Sequence, residues 1–248
     1  MQAQVDDSAK LATQEMGKRI DAGAPVGAYT NLLISYEQSD RVIDDPGIKD
    51  VALTDSVAAG RTVAARAGQN LKKSTMELGC SDAFIVLDDA DLDKTIPWAV
   101  WGRMYNADQT CCAKLLMGGK RIARPGWFMQ PTILTDIRPG NPAFRGEIFG
   151  PVVSFIRVKD EAAAIALANA GDFGLGGSVW TRGKARGKRV ASQVDTGMMF
   201  VNNLDWVDAD MPFGGIKGSG YGRELGHMGI QEFVNKKLVR TGNLAVPA

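Results

Sequence analysis

The sequence contains little cysteine, little histidine and almost no net charge. Three cysteines in 248 residues, two of them adjacent, make a poor disulfide framework, so the sequence predicts a reducing, cytoplasmic setting. A single histidine, His227, with no CxxC or HxxxH spacing predicts no metal site. A Ser-His-Asp triad would depend on that one histidine, and no G-x-S-x-G turn accompanies it.

The charge balance and the absence of long apolar runs narrow the choice of partners. The 29 basic and 28 acidic side chains leave a net charge of +1, so neither nucleic acid nor a membrane surface is predicted as a partner. No apolar run reaches the roughly 18 residues that a membrane-spanning helix needs. The first seven residues also lack the basic and apolar regions of a secretory signal.

What is present is typical of a folded α/β protein. Hydrophobic residues make up 45% and charged residues 23% of the chain, which are ordinary globular values. The pattern predicts strands over 29–36, 50–54, 84–87, 131–134, 151–156, 177–181, 198–201 and 237–240. It predicts helices over 8–20, 39–45, 56–68, 92–105, 161–170, 184–194 and 226–234. This alternation indicates a largely parallel sheet, with strand 84–87 buried on both faces.

Three separated segments carry side chains suited to acyl chemistry. Residues 105–112 place a polar turn before two thiols, Cys111 and Cys112. Glu77 precedes a glycine, and Glu147 opens the run E-I-F-G-P. A thiolate nucleophile, a carboxylate able to activate water and a second acid able to hold a ligand hydroxyl predict a cysteine-dependent oxidoreductase.

Two further segments are candidates for ligand contact. A strand, a turn and a small-residue helix start that includes Ser56 and Gly60 could cradle a phosphate, because a helix N-terminus presents free N–H groups. An ordinary turn capped by Ser56 explains the same pattern. Five glycines between 214 and 222 indicate a loop that closes over a site.

Taken in order, these segments resemble the aldehyde dehydrogenase family, nearest its succinate-semialdehyde dehydrogenase branch. The matching runs are T-D-S at 54–56, E-L-G-C at 77–80, D-Q-T-C at 108–111, E-I-F-G-P at 147–151, F-G-L at 173–175 and P-F-G-G-I-K-G-S-G-Y-G-R-E at 212–224. The resemblance covers residues 49–112 and 130–240. It implies a shortened nucleotide-binding parallel sheet joined to an α/β catalytic domain.

The resemblance also implies residue roles. Cys111 attacks a small aldehyde, and the resulting acyl thioester is hydrolysed by water that Glu77 activates. NAD or NADP is the implied cofactor, with Glu147 on its nicotinamide ribose, Phe149 packed beside it, and Ser56 and Gly60 at its pyrophosphate. Asn202 ends the strand before the loop that lines the substrate pocket. The family further implies a homo-oligomer.

The resemblance implies three regions and two missing segments. Residues 1–78 correspond to a remnant of the dinucleotide-binding domain, 79–225 to the catalytic domain, and 226–248 to a C-terminal helix and oligomerisation tail. One gap falls between residues 20 and 27, where the family has an asparagine for the oxyanion and a lysine for the adenosine ribose. The second follows residue 114.

Point departures from the family motifs leave alternatives open. Asp55, Cys80 and Asp108 each replace a family glycine. Cys111 could be a buried thiol, and Glu77 could pair with Lys72 or Lys73. Three hypotheses therefore stand: an active aldehyde dehydrogenase, a non-catalytic remnant that associates through strand 237–240, and a thiol esterase that uses Cys111 and Glu77 without a cofactor.

Overall fold

The structure is a computed structural model that describes residues 30–104, 118, 120–137, 142–204 and 207–242. Its helices are α1 (Tyr36–Asp44), α2 (Val57–Gln69), α3 (Leu92–Met104), α4 (Pro142–Arg145), α5 (Glu161–Asn169), α6 (Lys184–Ala191) and α7 (Gly226–Glu232). Its strands are β1 (Asp50–Thr54), β2 (Lys73–Glu77), β3 (Ala83–Val86), β4 (Thr132–Leu134), β5 (Val152–Ser154), β6 (Phe173–Gly174), β7 (Gly177–Trp180), β8 (Phe200–Val201), β9 (Ile216–Lys217) and β10 (Gly220–Tyr221).

The chain divides into two compact units, Met1–Asp45 and Pro46–Ala248. In the first unit α1 begins at a capping box, in which the Ser35 hydroxyl accepts the Gln38 N–H and the Gln38 side chain accepts the Ser35 N–H at 2.7 Å. Residues 30–35 form no strand, and the capping box fixes Ser35 as the start of a helix, so the predicted strand 29–36 is wrong over its described residues. The predicted helix 39–45 is confirmed with an earlier start. Predicted helix 8–20 lies outside the described residues.

The described residues of the second unit form four small sheets with mostly parallel pairing. The strand orders are β1-β2-β10, β3-β7-β8, β4-β5 and β6-β9. The pairs β1·β2, β3·β7, β7·β8 and β4·β5 are parallel, whereas β10·β2 and β6·β9 are antiparallel. This arrangement confirms the predicted α/β class with a largely parallel sheet.

The densest apolar packing surrounds the β3-β7-β8 sheet. Its buried core consists of Ile85, Leu87, Val179, Val190 and Val194, with α5 side chains packed against it. The Trp180 ring stacks on Phe84 with centroids 5.1 Å apart. Burial of such side chains contributes about 1.5–3 kcal/mol each. This core joins β3 and β7 to α6.

One sequence prediction fails in this unit. Val86 is 44% exposed, so β3 does not bury both of its faces. Residues 237–240 form no strand within the described chain, and Leu238 is 88% exposed. A strand at 237–240 that forms on association with another chain stays a prediction. Within the described ranges, no helix is both long enough and apolar enough to cross a membrane.

Candidate functional site

Glu77 occupies the last position of β2, at the carboxyl end of the parallel β1·β2 pair. Its side chain is 4% exposed, and neither carboxylate oxygen has a hydrogen-bond partner in the described part of the chain. The alternative in which Glu77 pairs with Lys72 or Lys73 is therefore wrong. A buried carboxyl group without a partner is costly and is a common mark of a functional site.

The glycine-rich segment 214–222 packs directly over this carboxyl group. Strand β10 pairs Gly220 with Glu77, and a Cβ added to Gly214 would lie 2.7 Å from Glu77 Oε1. Gly214 has a φ of +150°, a conformation that other residues rarely adopt. The loop therefore packs over Glu77, and the prediction that it closes a functional site there stays a prediction. The loop is tied to itself by Arg223, whose Nη1 donates to the carbonyl oxygens of Gly215 and Gly222.

Burial changes the acidity of Glu77. Desolvation raises the pKa of Glu77 to about 8, helped by the negative charge of Glu224 and opposed by the Arg223 guanidinium. The group is therefore largely a neutral acid at pH 7 and becomes a carboxylate above about pH 8. A base with a pKa near the working pH suits proton abstraction from water.

The raised pKa predicts a pH dependence of stability. Because the folded pKa of Glu77 lies above its ordinary value of 4.5, the native state holds a proton that the unfolded state has lost. Its stabilisation is complete below that ordinary value and is lost as the pH rises to about 8. Replacing Glu77 by glutamine should remove this loss, on the order of 3 kcal/mol in the free energy of unfolding. Urea unfolding at several pH values from about 5 to 8 measures it, and parallel curves for the two proteins would contradict it.

Glu147 reaches the same region from a distant part of the chain. Its Oε1 accepts the Cys80 N–H at 2.9 Å, and a Cβ added to Gly79 would lie 2.7 Å from its Oε2. The structure therefore brings together the predicted base segment and the predicted ribose-binding acid, 67 residues apart. Cys80 itself is a buried thiol, which packs as a small apolar side chain.

The turn after β1 holds the other predicted cofactor residues. Ser56 caps α2, its hydroxyl accepting the Ala59 N–H at 3.3 Å, and the Asp55 carboxylate accepts the Ser56 N–H. Gly60 is buried, and a Cβ there would collide with the Leu78 side chain. The close approach that Gly60 permits is thus with the residue after Glu77. Its contact with a cofactor stays a prediction.

Asn202 and Phe149 lie in different surroundings. The Asn202 side chain accepts the Thr181 N–H at 2.9 Å and donates to the Thr181 carbonyl oxygen at 2.8 Å, which ties the end of β8 to the end of β7. Phe149 is 70% exposed. Their predicted substrate and cofactor contacts stay predictions. Cys111 and Cys112 lie outside the described residues.

Ser219, to which the sequence pattern gave no role, holds the segment that follows Glu77. Ser219 is fully buried, and its hydroxyl donates to the Gly79 carbonyl oxygen at 2.6 Å. The available signal was its place in the run P-F-G-G-I-K-G-S-G, a polar side chain among glycines. That run was interpreted as glycine-rich backbone closing over a site and as a family motif, and Ser219 was given no role of its own.

Comparison with known proteins decides the family. The sequence profile described as "Aldehyde dehydrogenase family" matches residues 7–114 and 112–239. The chain belongs to the aldehyde dehydrogenase family. A succinate-semialdehyde dehydrogenase [NADP(+)] from Deinococcus radiodurans is 41% identical, over 89% of this chain and 59% of that protein. One from Mycobacterium tuberculosis is 34% identical, over 88% of this chain and 61% of that protein.

Solved structures agree with this assignment. Succinic semialdehyde dehydrogenase from Streptococcus pyogenes, in complex with NADP+, aligns with a TM-score of 0.87 at 35% identity, over 95% of this chain and 65% of that one. An aldehyde dehydrogenase from Mycobacterium tuberculosis complexed with NAD+ aligns with a TM-score of 0.77 at 30% identity, over 84% of this chain and 56% of that one. The fold described above is therefore that of a shortened aldehyde dehydrogenase.

The shortening has an internal component. The chain spans about 60% of the length of the curated relatives it matches. The aligned span with the Deinococcus relative is 281 positions, more than the 248 residues of this chain, so that relative has residues inside the span that this chain lacks. The family match also breaks at residues 112–114, where the sequence predicts the second missing segment. The predicted domain division at residue 78 stays a prediction.

Proposed function

We propose that this chain carries out the aldehyde dehydrogenase reaction, oxidising a small aldehyde to the acid with NAD(P)+ through a thioester on Cys111. The observation that carries the proposal is Glu77, a buried carboxyl group with no hydrogen-bond partner in the described chain, placed beneath the glycine-rich loop. A structural carboxylate would be paired or exposed, whereas a general base must keep its oxygens available to water.

Each step has a defined group in this chain. The Cys111 thiolate adds to the aldehyde carbon and forms a C–S bond. Bound NAD(P)+ supplies the acceptor for the hydride that leaves that carbon. Glu77 then takes a proton from water as the water oxygen attacks the thioester carbonyl carbon. The C–S bond breaks, which releases the acid and returns Cys111 to the thiolate.

The ribose end of the proposed cofactor site fits its ligand. Glu147 is half-buried and is oriented by the Cys80 N–H. An ionised carboxylate has about four lone-pair positions, so a carboxylate that accepts the Cys80 N–H is chemically able to accept a ribose hydroxyl as well. The charge and geometry of Glu147 therefore support the predicted contact.

The phosphate end fits less well. At the N-terminus of α2 the Asp55 carboxylate accepts the Ser56 N–H, and the Ser56 hydroxyl accepts the Ala59 N–H. A pyrophosphate would have to displace a carboxylate of its own sign from a helix end that otherwise attracts anions. Asp55 thus weakens nucleotide binding without abolishing the ribose contact.

Replacing Asp55 by glycine should tighten NADP+ binding by roughly fivefold, because removing one like charge near a phosphate is worth about 1 kcal/mol. Isothermal titration calorimetry measures the dissociation constant. Asp55→Asn keeps an acceptor for the Ser56 N–H but removes the charge, and Asp93→Asn on α3 is a matched control for net charge. Equal affinity in wild type, Asp55→Gly and Asp93→Asn would contradict the prediction.

The substrate proposal follows the relatives. Because similar proteins are named succinate-semialdehyde dehydrogenases using NADP(+), we infer a succinate semialdehyde-like substrate and test it with NADPH and NADH formation at 340 nm. Coenzyme reduction that depends on the aldehyde supports the proposal. Its absence in folded protein would favour the alternatives.

A cytoplasmic location and a homo-oligomer belong to the same proposal, and size-exclusion chromatography with light scattering tests the latter.

Two alternatives have specific support. The predicted loss of the oxyanion asparagine, together with Asp55, favours a catalytically impaired remnant that acts, if at all, as an association module. Its predicted contact segment contains two exposed apolar side chains, Leu238 and Val239. A thiol esterase needs only Cys111 and Glu77. Hydrolysis of p-nitrophenyl acetate in the absence of nucleotide separates the esterase from the remnant, and the absence of aldehyde-dependent coenzyme reduction in the same protein separates it from the dehydrogenase.

A further inference from the structure

A single peptide group, two residues after Glu77, connects Ser219 to Glu147. The Gly79 carbonyl oxygen accepts the Ser219 hydroxyl at 2.6 Å, and the Cys80 N–H of the same peptide donates to Glu147 Oε1 at 2.9 Å. The peptide unit is planar, so the direction of its carbonyl sets the direction of its N–H. Whatever orients the carbonyl therefore orients the contact with Glu147.

The Ser219 hydroxyl is held in a single arrangement. The residue is fully buried, and its Oγ also accepts the Gly174 N–H at 2.9 Å. With that acceptor position used, the one hydroxyl proton goes to Gly79. Its backbone carbonyl accepts the Leu78 N–H at 3.0 Å. Ser219 thus contacts both residues that follow Glu77.

Space around this peptide is tightly limited. A Cβ added to Gly79 would lie 2.7 Å from Glu147 Oε2 and 2.7 Å from the Phe173 ring, and a Cβ on Gly215 would lie 2.6 Å from that of Ser219. Close packing on both sides means that the peptide has little room to rotate without losing one of its hydrogen bonds.

We propose that Ser219 is a positioning residue that sets Glu147 through the Gly79–Cys80 peptide and Glu77 through the Leu78 N–H, which its backbone carbonyl accepts. This role rests on the proposed function of those two acids. The hydroxyl touches neither substrate nor cofactor. It acts as a buried support that fixes the geometry of the groups that do.

The test compares Ser219→Ala with Ser178→Ala. Ser178 is a matched control, a 4% exposed serine whose hydroxyl accepts the Trp180 indole N–H at 3.0 Å in the other large sheet. Amide hydrogen exchange at Cys80 and Gly174 and carbon-13 NMR titration of the Glu77 and Glu147 carboxyls are measured in each protein. In Ser219→Ala, exchange at both amides should rise about tenfold, and both carboxyl titration midpoints should move, because one buried hydrogen bond is lost. Ser178→Ala should change neither.

These measurements separate a positioning role from the alternative in which Ser219 only accepts the buried Gly174 N–H. If exchange rises only at Gly174 while Cys80 and the carboxyl titrations match Ser178→Ala, Ser219 has no positioning role and the proposal is overturned. Ser219→Cys, which keeps the side-chain shape with a slightly larger atom and a weak donor, should give intermediate values and carries the test if the alanine variant does not fold. None of these measurements needs turnover. If the wild-type protein is inactive but the titration midpoints still move in Ser219→Ala, the proposed function is rejected and the structural role of Ser219 stands.

Discussion

Glu77→Gln should slow hydrolysis of the acyl-enzyme by a factor of about 10² to 10⁴, the usual contribution of a general base. The glutamine amide has nearly the same shape and can occupy the same buried site, but it cannot take a proton from water. The rate of the first turnover should change much less than the rate of later ones, since Glu77 acts after the thioester has formed. Rapid-mixing measurement of NADPH formation separates the two phases.

The pH profile is the matching control for this assignment. Because the pKa of Glu77 is raised to about 8, the wild-type hydrolysis rate should increase as the pH rises through 8 and then level off. Glu77→Gln should lack that inflection. An unchanged later-turnover rate in Glu77→Gln, with the same pH profile, would show that another group activates the water.

Cys111→Ala should reduce aldehyde oxidation to background, a loss of at least about 10³-fold, because the proposed mechanism carries the acyl intermediate on the Cys111 sulfur. The adjacent thiol provides a matched control in the same segment. Cys112→Ala should retain most of the activity, since it removes a thiol of the same size from the next position.

The pair of variants separates chemistry from folding. Both should unfold at similar urea concentrations, as expected for small changes in neighbouring residues. Equal loss of activity in both would indicate that the segment, and not the Cys111 thiol, is what the substitution damages. Full activity in Cys111→Ala would reject the thioester mechanism.

The regular parts of the fold could be predicted from local pattern. Strand β1, the Ser56 cap and α2 follow one another as the sequence indicates, because a short apolar run and a capped small-residue helix are local signals. Strand β2 was not predicted. Its sequence K-S-T-M-E is polar at both ends, and its pairing with β1 and β10 supplies what the pattern lacks.

The site could be predicted only as far as its motifs extend. Glu77 and Glu147 were found as parts of recognisable runs, but their meeting through Cys80 depends on a contact across 67 residues. Ser219 lies 140 residues from the carbonyl group that it supports. Such contacts arise from tertiary packing, which leaves no periodic trace in the chain. The hydrogen bonds of the Asn202 side chain to the Thr181 backbone could not be predicted for the same reason.

The most direct test of the central claim is to identify the covalent intermediate. Glu77→Gln would be mixed with succinate semialdehyde and NADP+, quenched in acid, digested and analysed by mass spectrometry. The thioester mechanism predicts one succinyl group on the peptide that contains Cys111, formed together with an equal amount of NADPH. The same experiment on Cys111→Ala should yield neither. Unmodified Cys111 in the presence of NADPH formation, or a succinyl group elsewhere, would contradict it.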